Sequence, residues 1–189
     1  LVVNASMIPE DFAWLEARRP DGVELLDESE SWAGMAVQGP DSAATFAKLF
    51  PAETLPSRNG IARLAGGQIV CRTGYTGEDG FEFFCSADAG IATFQSFVDA
   101  GAKPCGLGAR DSLRLEMCYP LNGSDLSPTR TPIEAGLGFF VDLEKGDFVG
   151  REVLVRQKEE GLKERLVAIA YTGKGAPPRA HYAVVSEAG

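Results

Sequence analysis

The chain has 189 residues and a formal net charge of −9, with 27 acidic side chains against 18 basic ones. That length can bury a substantial core, the even mixture of apolar and charged residues excludes a low-complexity tail, and the negative field excludes a phosphate backbone as a partner. No apolar run approaches the roughly 20 residues that span a bilayer, and the opening LVVNASMIPE has neither a basic n-region nor a cleavage site, so a soluble cytoplasmic protein is expected.

In chain order, Leu1 to Asn4 reads as an apolar strand that begins without an initiator Met, as though cut into. Pro9 at a first helical position, followed by Glu10 and Asp11 at the positive end of the helix dipole, starts a helix that Pro20 ends, with Phe12 and Leu15 on one face. Two strand-like runs follow, Val23 to Asp27 and Trp32 to Gln38, and Gly39-Pro40 opens a second helix that offers Ala44, Phe46, Leu49 and Phe50 for burial. Strands are expected at Ile61 to Leu64, Gln68 to Arg72 and Phe81 to Cys85, separated by Gly66-Gly67 and by the turn-rich TGYTGEDG stretch. Helices are expected over Ala89 to Ala100, Leu107 to Met117 and around Arg151 to Glu160, with a proline-containing loop before the last. The tail changes character to short strand-like runs, LVAIAY and HYAVVS. Strands and helices mixed without regular β-α alternation predict an α+β fold of antiparallel sheets with packed helices over residues 1–163. Residues 164–189 read as the beginning of a β-rich C-terminal domain. The unpaired edges at Leu1 to Asn4 and near Tyr182 to Ser186 offer a route to a homo-oligomer.

Four cysteines, Cys71, Cys85, Cys105 and Cys118, stand 14, 20 and 13 residues apart without a C-x-x-C pair. With one histidine, His181, in the whole chain, no metal-site pattern is present, and a Ser-His or Cys-His couple has a single base near the chain end. The thiols read as small semi-buried side chains in a reducing compartment.

Three segments carry candidate chemistry. In RTGYTGEDGFEF, two strands flank a loop whose glycines permit unusual backbone angles, and Tyr75 and Glu82 lie seven residues apart. A buried carboxylate at Glu82 would accept two parallel hydrogen bonds from a ligand that presents adjacent N–H groups. Flanked by Phe81 and Phe83, it would equally be a solvated residue opposite an aromatic face. In PCGLGARDSLRLEM, the helix carries Arg110, Asp111 and Arg114. The Gly106-Leu107-Gly108 run lacks the third glycine and the βαβ context of a dinucleotide fingerprint. An arginine there either meets a ligand carboxylate or is locked to Asp111, Glu116 or Glu82. TPIEAGLGFFVDLEKGDFVGRE pairs no nucleophile with a base and reads as architectural.

Taken together with LVVNAS, GMAVQGP and PLNGSDL, these blocks resemble the glycine cleavage T-protein family of tetrahydrofolate-dependent aminomethyltransferases over about four-fifths of the chain. Folate-binding proteins of iron-sulfur maturation share the fold, but where they resemble K-G-C-Y-x-G-Q-E this chain has Asp147 in place of the cysteine. The resemblance implies transfer of an aminomethyl group from the lipoyl arm of a carrier H-protein to tetrahydrofolate, with release of ammonia. It implies that Glu82 hydrogen-bonds the pterin ring, that Tyr75 lines the folate pocket, that Asn4 lies near the ring, and that Arg110 binds the cofactor or orders the site. It also implies that the family's catalytic aspartate precedes Leu1 and that the closing barrel is mostly absent, so that the isolated chain is expected to be inactive. The rival reading is a non-catalytic folate-binding or structural module of the same fold.

Overall fold

The computed structural model describes residues 1–170, 172–175 and 182–185. They group into two units, Leu1–Ser124 and Asp125–Gly189.

In the first unit, α1 (Ile8–Glu16) starts with Pro9 in its first turn, together with Glu10 and Asp11. β1 (Trp32–Gln38) has the expected bounds. Gly39, at φ +117°, then turns the chain into α2 (Ser42–Leu49). β2 (Ile61–Arg63) and β3 (Ile69–Cys71) form a hairpin whose turn uses Gly67 at φ +85°, and β4 (Gly80–Ser86) follows. α3 (Gly90–Asp99) ends where Gly101 enters the left-handed region and its N–H bonds back to the Val98 carbonyl. α4 (Leu107–Glu116) closes the series.

The four strands form one sheet in the order β1-β4-β3-β2, with every pairing antiparallel. Period-two alternation divides its side chains. Ala33, Met35 and Val37 of β1, Phe81, Phe83 and Cys85 of β4, Val70 of β3 and Ala62 of β2 face a core completed by Phe46 of α2 and Phe97 of α3. Val70, Phe81 and Phe83 are completely excluded from solvent. Phe83 meets Phe50 in a stacked pair at 5.1 Å and Phe97 edge-on at 5.3 Å, arrangements favoured by the ring quadrupole.

Two expected strands of this unit are absent. Leu1 to Asn4 pairs with nothing, and the Asn4 carbonyl instead accepts from the Met7 N–H at 2.8 Å, which starts a 3-10 turn, Ala5–Met7. Val23 to Asp27 is irregular, and the Val23 carbonyl is taken by the Arg19 guanidinium at 2.5 Å rather than by a neighbouring strand. The first part of the chain therefore runs α1-β1-α2, not β-α-β-β-α.

The second unit is mostly turns around α5 (Arg151–Glu160), which has the expected bounds and sits between Gly150 and Gly161, both at positive φ. Leu154 of α5 and Ala135 are its buried apolar residues among those described. The stretch GLGFFVDL holds a 3-10 turn, Gly138–Phe140. Residues 165–170 and 182–185 carry no strand, while Tyr171, His181 and Ser186, which belong to the expected tail strands, lie outside the described residues. No helix among the described residues is long and apolar enough to cross a membrane.

Candidate functional site

Because Phe81, Phe83 and Cys85 point into the core, Glu82 and Phe84 lie on the other, open face of the sheet. The register sets Glu82 directly between Ala36 of β1 and Cys71 of β3. Both neighbours are short, and Ala36 is exposed, so nothing bulky flanks the carboxylate along the strand pairs. Gly34 serves the same face differently: a Cβ there would lie 3.0 Å from the Phe84 ring, which occupies the space above it.

The Glu82 carboxylate accepts a hydrogen bond at Oε2 from the hydroxyl of Thr73, and among the described residues its Oε1 receives none. Its charge adds to burial, the larger cause, in pushing the Cys71 thiol above its ordinary value. All four cysteines are free.

Residues 73–79, between β3 and β4, are tied down at their neck. Arg72 donates to both carboxylate oxygens of Asp79, at 3.1 and 2.8 Å. That bidentate pair holds the Asp79 carboxyl below its usual range. Gln38, the last residue of β1, donates from Nε2 to the Thr73 carbonyl at 3.2 Å and to the Phe81 carbonyl at 3.1 Å. Its Oε1 is buried without a hydrogen-bond partner among the described residues, packed where a Cβ on Gly74 would come within 1.9 Å and one on Gly80 within 2.5 Å. Two of the loop glycines are thus explained by the space the Gln38 carboxamide fills. Gly77, at φ +82°, needs its conformational freedom and also lies against Met117.

The loop tip docks on the segment that follows α4. The Tyr75 hydroxyl donates to the carbonyls of Pro120 and Tyr119, and its ring stacks on Tyr119 with centroids 5.7 Å apart. The Arg110 guanidinium lies over the same ring, 4.5 Å from its centroid. Arg114, one turn later on α4, is only 7% exposed. It pairs with Asp111 at 2.8 Å and donates to the Tyr119 carbonyl at 3.1 Å. The alternatives for this helix are therefore divided between its two arginines. Arg114 is the one locked to Asp111, and Arg110 is left exposed with its head group on Tyr75.

Of the four residues assigned to a site from the sequence, Tyr75 and Arg110 touch, and Glu82 joins the same loop through Thr73. Asn4 is exposed at the entry of its 3-10 turn and its side chain makes no capping hydrogen bond. Thr73 and Gln38 were not distinguished as site-building residues by spacing. Their partners lie 9, 35 and 43 residues away for Thr73 and Gln38, separations that no local pattern reports.

In the second unit, Thr131 and Glu134 of the TPIE run hydrogen-bond reciprocally. The Thr131 N–H donates to Glu134 Oε2 at 2.8 Å and the Glu134 N–H to the Thr131 hydroxyl oxygen at 3.2 Å. This is capping-box chemistry closing a turn, and the Thr131 hydroxyl also reaches Gln157 of α5 at 2.7 Å. No group of three or more metal-ligating side chains gathers among the described residues.

The sheet, its helices and this loop place the chain in a known domain class: the family model described as the GCVT N-terminal domain matches residues 1–145. The glycine cleavage system aminomethyltransferase T from Bartonella henselae has a similar fold, with a TM-score of 0.73 at 34% identity, covering 84% of this chain and 45% of that one. The aminomethyltransferase of Geobacillus thermodenitrificans is 44% identical over 201 residues, covering 100% of this chain and 55% of that protein. That of Geobacillus kaustophilus is 45% identical over 187 residues, covering 94% and 51%. The chain belongs to the glycine cleavage T-protein family of aminomethyltransferases, and it spans about half the length of the curated relatives it matches.

Proposed function

We propose that this chain forms the folate-reading part of a tetrahydrofolate-dependent aminomethyltransferase, which takes the aminomethyl group from the lipoyl arm of a carrier H-protein and releases ammonia. The observation that carries this reading is the Glu82 carboxylate. It stands on an open sheet face between Ala36 and Cys71, held at one oxygen by Thr73 and with no protein donor at the other among the described residues. An acceptor-only group with spare capacity fits the adjacent N–H and amino donors of a pterin.

Tetrahydrofolate bound there supplies the nitrogen that accepts the one-carbon unit. The chain's own contribution is binding and orientation: Glu82 accepts from the ring, the tethered Tyr75 fixes the loop beside it, and the exposed Arg110 guanidinium offers a cation for an anionic part of the ligand. Asn4 is assigned near the ring by family resemblance. Cytoplasmic localisation and a role in glycine breakdown belong to the same reading, as does the assignment of residues 164–189 to the start of a β-rich domain.

Because the chain spans about half of its relatives, a second reading, folate binding without turnover, is kept beside the first. Calorimetric titration of tetrahydrofolate into the wild-type chain and Glu82→Gln tests the shared binding step. Binding by the wild type that the variant weakens supports it, and equal affinities overturn it. Ammonia release with lipoylated carrier protein is expected to stay at background for these 189 residues under either reading, and robust turnover would overturn the second.

A further inference from the structure

We infer that Thr73 is a positioning residue for Glu82, one that orders the carboxylate before a ligand arrives. The inference rests on the pterin-binding role proposed above for Glu82. A glutamate on an open sheet face has several rotamers available, and a ligand that requires one of them must offset the lost freedom. Steric confinement along the strand pairs is slight here, since the cross-strand neighbours are Ala36 and Cys71. The hydrogen bond from Thr73 to Oε2 is what confines the side chain. It leaves Oε1 without a donor among the described residues.

Thr73 suits this task because both its side chain and its backbone are restrained. A β-branched residue has few χ1 choices, so its hydroxyl direction follows from its main chain. That main chain is held by Gln38, whose single carboxamide donates to the carbonyls of Thr73 and of Phe81, the residue just before Glu82. The preceding residue, Arg72, is clamped to Asp79 across the loop neck. Donor and acceptor are therefore referenced to the same amide, and the carboxylate position is set by the sheet rather than by the loop tip.

The experiment titrates tetrahydrofolate by calorimetry into the wild-type chain, Thr73→Ser, Thr73→Val, Glu82→Gln and the Thr73→Val/Glu82→Gln double variant, with thermal melts as a control. Thr73→Val keeps the shape and removes the donor, and is expected to weaken binding about three- to tenfold. Thr73→Ser should restore affinity to within about threefold. In the Glu82→Gln background the valine should change affinity less than about twofold, because the group it positions is gone. A merely structural hydroxyl would lower the melting temperature without this coupling. Wild-type affinity in Thr73→Val, or full additivity in the double variant, while Glu82→Gln alone binds weakly, overturns the positioning role and leaves the Glu82 reading standing. If Glu82→Gln binds like the wild type, or the wild type does not bind, the underlying reading fails and this inference fails with it. Should valine prevent folding, Thr73→Ala removes the hydroxyl without bulk and is read in the same way.

Discussion

At Glu82 the choice of residue decides what can be recognised. A carboxylate offers only acceptors, whereas the amide of glutamine would set a donor against one of the pterin's donors. Glu82→Gln should therefore weaken reduced-folate binding by about 1.5 to 3 kcal/mol, tenfold or more, with an unchanged melting temperature. Gly74 makes the opposite kind of demand. Its φ is not positive, so alanine is conformationally permitted, but the new Cβ would fall 1.9 Å from Gln38 Oε1. The carboxamide must then leave, losing its bonds to the Thr73 and Phe81 carbonyls. Gly74→Ala should cost about 1 to 3 kcal/mol in urea denaturation, and most of that cost should vanish in a Gln38→Ala background, where the obstruction is already gone. Equal costs in both backgrounds would locate the strain elsewhere.

At the scale of elements, the loop 73–79 is tethered at its neck by Gln38 and the Arg72–Asp79 pair and at its tip by the segment after α4. Its tip hangs on the Tyr75 hydroxyl, which donates to the Pro120 and Tyr119 carbonyls. Tyr75→Phe should lower stability by about 1 kcal/mol and speed amide exchange in residues 73–79 more than in β4, a difference measurable by hydrogen exchange. What could be read from the sequence follows from where each element gets its definition. β1 and α5 came out with both ends as expected: Trp32 to Gln38 runs into a Gly-Pro break, and Arg151 to Glu160 sits between glycines at positive φ. Leu1 to Asn4 and Val23 to Asp27 have strand-like composition but no partner, and a strand exists only through its ladder. The alternation around Glu82 was legible and put it opposite Phe81 and Phe83, as found. Its hydrogen bond to Thr73 was not, because the two residues stand nine positions apart and only the folded loop brings them together.

At the scale of the molecule, charge is the property that reaches furthest. Neutralising the net charge of −9 is one route to association. The sequence pI of about 4.7 predicts a turbidity maximum near that pH. The fold should survive it. Asp27, Asp79 and Glu134 are held below their ordinary values of 3.8, 3.8 and 4.5, chiefly by hydrogen bonds from Ser29, Arg72 and Thr131 respectively. A carboxyl whose folded value is depressed contributes stability that is complete above its unfolded value and is lost as pH falls through the folded one. The loss therefore belongs below about pH 4.5 for Glu134 and below 3.8 for the two aspartates, on the acid side of the turbidity maximum. Protein precipitated near pH 4.7 should redissolve at neutral pH with native circular dichroism, while the melting temperature should begin to fall only at lower pH. Asp79→Asn, which cannot pair ionically with Arg72, should melt lower at neutral pH and lose less on further acidification. A melting profile for Asp79→Asn parallel to that of the wild type below pH 3.8 would show that the Arg72 clamp contributes nothing to acid sensitivity.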